Sequence, residues 1–158
     1  MSFEKEDDIK NCRILNGNDL LEKCLKLREE LGWIHTNLGE LYAFISYAYA
    51  YPNNFSSLVD SYSTINSGLK NFLVVALVLK SLGHEPIGIR LDSGDLAQLS
   101  KDCRKLMIET GSKYGYDFSK LRIVVSNDIN EITLNQFNEQ GHEIDVFGIG
   151  TNLVTCQA

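Results

Sequence analysis

The sequence contains no Cys-x-x-Cys pair and no histidine at ligand spacing, so neither a zinc site nor a disulfide framework is indicated. Cys12, Cys24, Cys103 and Cys156 are scattered and read as reduced thiols, which suits a cytosolic protein. His35, His84 and His142 stand alone, and each reads as a surface or supporting residue rather than a catalytic base. Long apolar runs are also missing. The best one, residues 69–82, is interrupted by Lys70, Asn71 and Lys80 and is too short to span a hydrocarbon core. The N-terminus is Met-Ser-Phe-Glu-Lys-Glu-Asp-Asp, without the basic stretch that opens a secretory leader. Nor is there a basic excess: 15 Lys and Arg face 21 Asp and Glu, giving a net charge of −6, which argues against nucleic acid as a partner. What is present is 44% hydrophobic residues in 158, enough for one ordinary core.

Residues 1–37 form a charged, heterogeneous segment with one helix predicted over 19–31, a candidate cap or interface helix. Residues 38–158 form the second unit. Its opening stretch, 39–51, is rich in Tyr and Ala and closed by Pro52, and reads as a buried aromatic helix. Its aromatics could form a ligand cage, but helix packing is the better explanation. From Ser57 onward short apolar runs alternate with amphipathic ones. Strands are predicted at 58–59, 87–91, 122–125 and 145–149, and helices at 69–82, 96–114 and 131–140, a βαβαβαβ order. The strands lack clear alternation, as expected of parallel strands covered on both faces.

Each strand runs into a polar or glycine-rich turn: Asp60-Ser61-Tyr62, Arg90-Leu91-Asp92-Ser93-Gly94-Asp95, Ser126-Asn127-Asp128 and Gly148-Ile149-Gly150-Thr151. In a parallel sheet all four lie at the carboxyl ends of the strands, where barrels and doubly wound sheets bind ligands. Asp95 and Asp128 precede Gln98 and Glu131 by three positions, so helix capping explains them in part. Asp92 has no capping task. Arg90 lies two residues before it on the same side of the strand, so the two could pair with each other or grip one substrate. Gly148 and Gly150 offer bare N–H groups suited to a phosphate, while Leu153 stands where a dinucleotide fingerprint needs a third glycine. Carboxylates, an arginine and a glycine cradle suit a phosphorylated ribose, with displacement at its anomeric carbon and no protein nucleophile.

The stretches Leu58-Val-Asp-Ser-Tyr62, Gly88-Ile-Arg-Leu-Asp-Ser-Gly-Asp-Leu96, Val124-Val-Ser-Asn-Asp128 and Phe147-Gly-Ile-Gly-Thr-Asn-Leu153 closely resemble nicotinate phosphoribosyltransferase. So does the aromatic segment 43–52. The resemblance implies part of an irregular TIM-like (β/α) barrel and the reaction of nicotinate with phosphoribosyl diphosphate to nicotinate mononucleotide and diphosphate, an entry to NAD synthesis. It implies Mg²⁺, ATP as co-substrate, and a homodimer in the cytoplasm. Carried onto this chain, Asp60 and Asp92 hold Mg²⁺, directly or through water, and Arg90 faces the nicotinate. Ser93, Gly94, Ser126, Asn127 and Asp128 line the ribose side, and Gly148, Gly150 and Thr151 cradle the phosphate. The related nicotinamide-using enzymes share Arg-x-Asp-Ser-Gly, but the Gly-Ile-Gly-Thr-Asn-Leu run is more like the nicotinate branch.

Members of that family are longer and carry a Thr-x-Ala-His segment with a phosphorylatable histidine, which has no counterpart here. The chain is therefore expected to be a central fragment with an unpaired strand edge, inactive alone. Two other readings follow from the same residues. One is an inactive phosphoribosyl-binding protein that pairs with a full-length paralogue; the other is an unrelated barrel that binds a phosphorylated sugar.

Overall fold

A computed structural model describes residues 15–126 and 129–150. Asn127, Asp128 and Thr151, with Cys12 and Cys156, lie outside the described residues. The element order is α1 (Gly17–Glu30), α2 (Leu38–Ala50), β1 (Ser56–Leu58), a π-type turn (Thr64–Gly68), α3 (Leu69–Ser81), β2 (Gly88–Leu91), α4 (Leu96–Lys113), β3 (Arg122–Val125), α5 (Glu131–Gln140) and β4 (Val146–Phe147).

Short polar side chains start the helices. Asn16 accepts from Asn18 N at 3.0 Å, Asn37 from Glu40 N at 2.9 Å and Asp95 from Gln98 N at 3.1 Å. Gln98 does not return the bond to Asp95; its amide donates down the helix to Asp102 at 3.0 Å. The box foreseen at α5 is built instead from Asn130 and Thr133, two positions later than Asp128 and Glu131 suggested. Helix α3 is buried almost all round, from Leu69 through Leu79, because α1 and α2 pack on one side and α4 on another. Leu20 and Cys24 of α1, Leu41 and Ile45 of α2, and Phe55 and Phe72 share its core.

The four strands form one parallel sheet in the order β1-β2-β3-β4. The α/β reading with a parallel sheet therefore holds. The order runs without reversal, unlike a doubly wound sheet, which changes direction at its ligand crevice. Within the described residues the sheet is open, with β1 and β4 at its edges, so closure into a barrel is not part of the observed fold.

Register corrects the expectation that both faces are covered. Ser57, Ile89 and Ile123 form one buried row, and Leu91 with Val125 another. The alternate row, Leu58, Arg90, Val124 and Val146, faces away from the helices; Leu58 and Val146 are 39% and 40% exposed. One face is packed and the other is open, so burial alternates with the two-residue period of a strand. The aromatic helix is also less buried than the sequence suggested. Leu41, Ile45 and Ala48 point inward, whereas Tyr42, Tyr47, Tyr49 and Tyr51 are exposed.

Glycine is required where backbones meet. A Cβ on Gly88 would stand 2.0 Å from the Arg122 carbonyl oxygen, and one on Gly68 would stand 1.9 Å from that of Val59. The first contact lets β2 lie against β3, and the second seats the π-type turn on the end of β1.

Candidate functional site

The turns after β1, β2 and β3 are joined by one hydrogen-bonded path. Because side chains alternate along a strand, Arg90 emerges on the open face, and Asp92, two positions on, meets it beyond the strand end. Arg90 grips Asp92 with two bonds, Nε to Oδ1 at 3.0 Å and Nη2 to Oδ2 at 2.6 Å. Its Nε also approaches Ser126 Oγ at 2.9 Å, and that hydroxyl donates to Asp92 Oδ1 at 2.5 Å. From β1, Asp60 Oδ2 accepts from Asp92 N at 2.8 Å and from Ser93 Oγ at 2.6 Å. Gly94 then turns the chain with φ of 84°, a conformation that disfavours any residue with a Cβ, into the Asp95 cap of α4.

The electrostatics follow from this packing. Partial burial pushes the Asp92 carboxyl up, but hydrogen bonds from Arg90 and Ser126 and the arginine's charge outweigh it and hold the group below the usual carboxylate range. The hydrogen bond to Asp92 likewise holds the guanidinium more firmly protonated. Both partners are thus charged across the neutral range. The pair is partly solvated, so its own contribution to stability is small. Its consequence is orientation: a bidentate fork fixes both planes.

Gly148 closes the far side. Its N–H donates to Val125 O at 2.7 Å, and a Cβ there would stand 3.0 Å from Ser126 Cβ, so the β4 turn lies directly beside the serine. Gly150 has open space around it. The structure thus brings Asp60, Arg90, Asp92, Ser93, Ser126 and Gly148 together, with Gly94 as the hinge of the turn.

No three His, Cys, Asp or Glu residues converge among the described residues. A divalent cation here would have at most the Asp60 and Asp92 carboxylates, leaving its other positions to water or phosphate oxygens. That is the ordinary way Mg²⁺ is held, so the donor set fits.

Two arrangements escaped the sequence reading. Arg104 of α4 is buried and donates to Ser119 O at 2.9 Å, Leu121 O at 2.5 Å and Asp145 Oδ2 at 2.6 Å. Glu40 and Asn71 are buried together with Ser67. Both join residues far apart in the chain, and no local signal announces them. Of the histidines, His84 is buried against Asn53, while His35 sits beside Lys70 and His142 edges onto Phe137 and Phe147.

A singly wound parallel α/β sheet with charged and hydroxyl side chains gathered at its carboxyl ends defines the class, an α/β segment with its polar cluster at the end where such sheets bind ligands. No family model matches the chain. It is similar to the nicotinate phosphoribosyltransferase of Dictyostelium discoideum, 57% identical over 146 residues, which are 90% of this chain and 25% of that protein. It is also 57% identical over 125 residues to nicotinate phosphoribosyltransferase 1 of Arabidopsis thaliana, covering 78% of this chain and 22% of that one. Among solved structures, the crystal structure of human nicotinic acid phosphoribosyltransferase matches with a TM-score of 0.74 and 37% identity, over 85% of this chain and 27% of that chain. The chain carries the sequence and fold of a segment of the nicotinate phosphoribosyltransferase family. It spans about a quarter of the length of the curated relatives it matches. The first alignment is too long to fit within residues 38–158, so the likeness reaches into the N-terminal segment that the motifs alone left uncovered.

Proposed function

We propose that these residues serve in the transfer of a phosphoribosyl group from phosphoribosyl diphosphate to nicotinate, giving nicotinate mononucleotide and diphosphate. The observation that carries the reading is the continuous path Asp60, Asp92, Ser93, Arg90 and Ser126 at the carboxyl ends of β1, β2 and β3, in a chain 57% identical over 146 residues to a relative of that name. Asp60 and Asp92 face the ribose and the departing diphosphate, and their carboxylates would hold Mg²⁺, directly or through water. When bound, that ion neutralises charge on the leaving group. Arg90 keeps its Nη1 outside the Asp92 fork and presents its cationic edge to the nicotinate carboxylate. Gly148 and Gly150, with Thr151 beside them, present backbone N–H groups to the 5′-phosphate.

On this reading, fixed charges favour a displacement at the anomeric carbon in which positive charge grows on the sugar while the diphosphate departs, so no protein nucleophile is needed. The unbroken strand order and the single covered face suit consecutive strands of an irregular TIM-like barrel, the open face forming part of its interior. ATP coupling, a homodimer and a cytoplasmic site belong to the same proposal. No helix among the described residues is long and apolar enough to cross a membrane. An inactive pairing partner is not favoured, since the relatives bear the enzyme's name.

The test is an assay of the natural polypeptide that contains these residues, with nicotinate, phosphoribosyl diphosphate, Mg²⁺ and ATP, following the mononucleotide by chromatography. Formation that requires nicotinate supports the reading. Phosphoribosyl transfer to nicotinamide alone, or none to either, overturns it.

A further inference from the structure

Asn37 and Glu40 stand at capping-box spacing at the start of α2, where the Glu side chain ordinarily accepts from the backbone N–H of the cap residue. Here a hydroxyl from elsewhere in the chain is spliced into the box. Asn37 N donates to Ser67 Oγ at 2.9 Å, and Ser67 Oγ donates to Glu40 Oε2 at 2.7 Å. Asn71 Nδ2 adds bonds of 2.9 Å to the same carboxylate oxygen and to Asn37 O. Glu40 is only 6% exposed, and among the described residues it has no cationic partner. Its Oε1 and Asn71 Oδ1 also lack hydrogen-bond partners. Burying a carboxylate this way is costly, and capping α2 alone does not require it, because the Asn37 side chain already caps Glu40 N.

The hydroxyl that Glu40 holds belongs to the π-type turn, and that turn packs against Val59, the residue before Asp60. Ser67 N and Gly68 N both donate to Ser63 O, at 2.8 and 3.0 Å. Gly68 lies so close to Val59 that no side chain fits between them. Residues 59–68 therefore close on themselves with Asp60 inside the closure, and Ser67 is the point at which the closure is fastened to α2. Asp60 in turn accepts from Asp92 N and Ser93 Oγ.

We propose that Glu40 is a positioning residue for Asp60, holding the Asp60 carboxylate in place through Ser67 and the π-type turn. The proposal rests on the reading of Asp60 as a site residue for its functional meaning, though not for its geometry. Glu40 does not touch the site; it fixes the loop from which one carboxylate extends.

The amide of Asp92, whose acceptor is Asp60, reports the result by hydrogen exchange in the natural polypeptide. In Glu40→Ala the Asp92 amide should exchange at least about tenfold faster while amides of the β2–β3 ladder keep their rates. Glu40→Gln, whose amide oxygen can still accept from Ser67, should restore the protection. Ser67→Ala leaves Glu40 in place and cuts the connection, so it should reproduce the selective loss, and it serves equally if Glu40→Ala does not fold. An unchanged Asp92 amide overturns the proposal. So does a uniform rise across all amides, or a Gln variant as exposed as the Ala one. In the turnover assay, kcat should fall by about tenfold in Ser67→Ala with KM for nicotinate little changed. A wild-type polypeptide without turnover would defeat the functional reading, and the exchange rates would still decide the positioning role on their own.

Discussion

Asp92 is where several constraints coincide: the arginine fork, the Ser126 hydroxyl, and the backbone bond from its own N–H to Asp60. Asp92→Asn keeps the shape but removes the charge and one acceptor of the fork. Turnover of the natural polypeptide should fall at least tenfold with its melting temperature nearly unchanged, the scale of one lost electrostatic contact; equal turnover would remove Asp92 from the site. Because this carboxyl titrates below its unfolded range, whatever stability the pair contributes is present above the unfolded value of about 4 and is lost as pH falls through the folded value. A pH titration followed by NMR should therefore show the Arg90 side-chain signals steady from neutrality to about pH 4 and moving only below it. The cysteines behave oppositely. Burial alone pushes Cys24, and burial aided by Asp102 pushes Cys103, up to about 12, so near neutrality both thiols stay protonated. Neither should be alkylated at neutral pH until the chain unfolds, as peptide mapping after iodoacetamide can show; prompt labelling of either would contradict the packing of α1 or α4.

At the scale of elements, Arg104 ties α4 to the loop before β3 and to the start of β4. Its guanidinium collects the Ser119 and Leu121 carbonyls and the Asp145 carboxylate, and Asp145 Oδ2 in turn accepts from Ile123 N at 2.7 Å. Arg104→Met fills the space but takes the donor from the buried Leu121 carbonyl, while the exposed Ser119 carbonyl and Asp145 carboxylate can turn to water. The variant should lose on the order of 2 kcal/mol in denaturant unfolding. A loss below 0.5 kcal/mol, the range of ordinary surface substitutions, would mean that water replaces the guanidinium. Why this bond was illegible in the sequence is physical: Arg104 and Asp145 are 41 positions apart, and a polar residue on a helix looks solvated until its partner is known. The same holds for Glu40 and Ser67, 27 apart. Local features were legible because their causes are local. The helices over 69–81 and 96–113 follow from periodic apolar residues closed by Gly83 and Gly115, and the Arg90–Asp92 pair follows from the two-residue strand period. The strand over 122–125 is where the pattern placed it, and the ends of the other three shifted by at most two residues because register, not composition, decides where a ladder stops. The tyrosines of α2 were misjudged for a related reason: an aromatic-rich helix shows which residues are apolar, not how many neighbours are present to cover them.

For the whole molecule, the sheet has one packed face and one open face, and the open one carries the row Leu58, Arg90, Val124 and Val146. Two parallel edges, β1 and β4, flank it, and the tyrosines of α2 lie exposed on another side. Edge strands and uncovered apolar surface are the features that draw chains together, and a packed core on one side does not relieve them. Residues 15–150 produced alone should therefore self-associate at micromolar concentration. Light scattering coupled to size exclusion would give a mass above that of one chain, and a hydrophobic dye would bind. Val124→Lys with Val146→Lys charges the open face on the β3–β4 side of Arg90 without touching the core rows Ile89–Ile123 and Leu91–Val125. That double variant should shift the population toward monomer while its far-ultraviolet spectrum stays the same. A monomer already in the unaltered chain, with no dye bound, would mean that the open face is closed in solution by a rearrangement of β4 or α5. In that event Arg90 would be covered too, and the site geometry at the carboxyl ends would have to be read as a closed state.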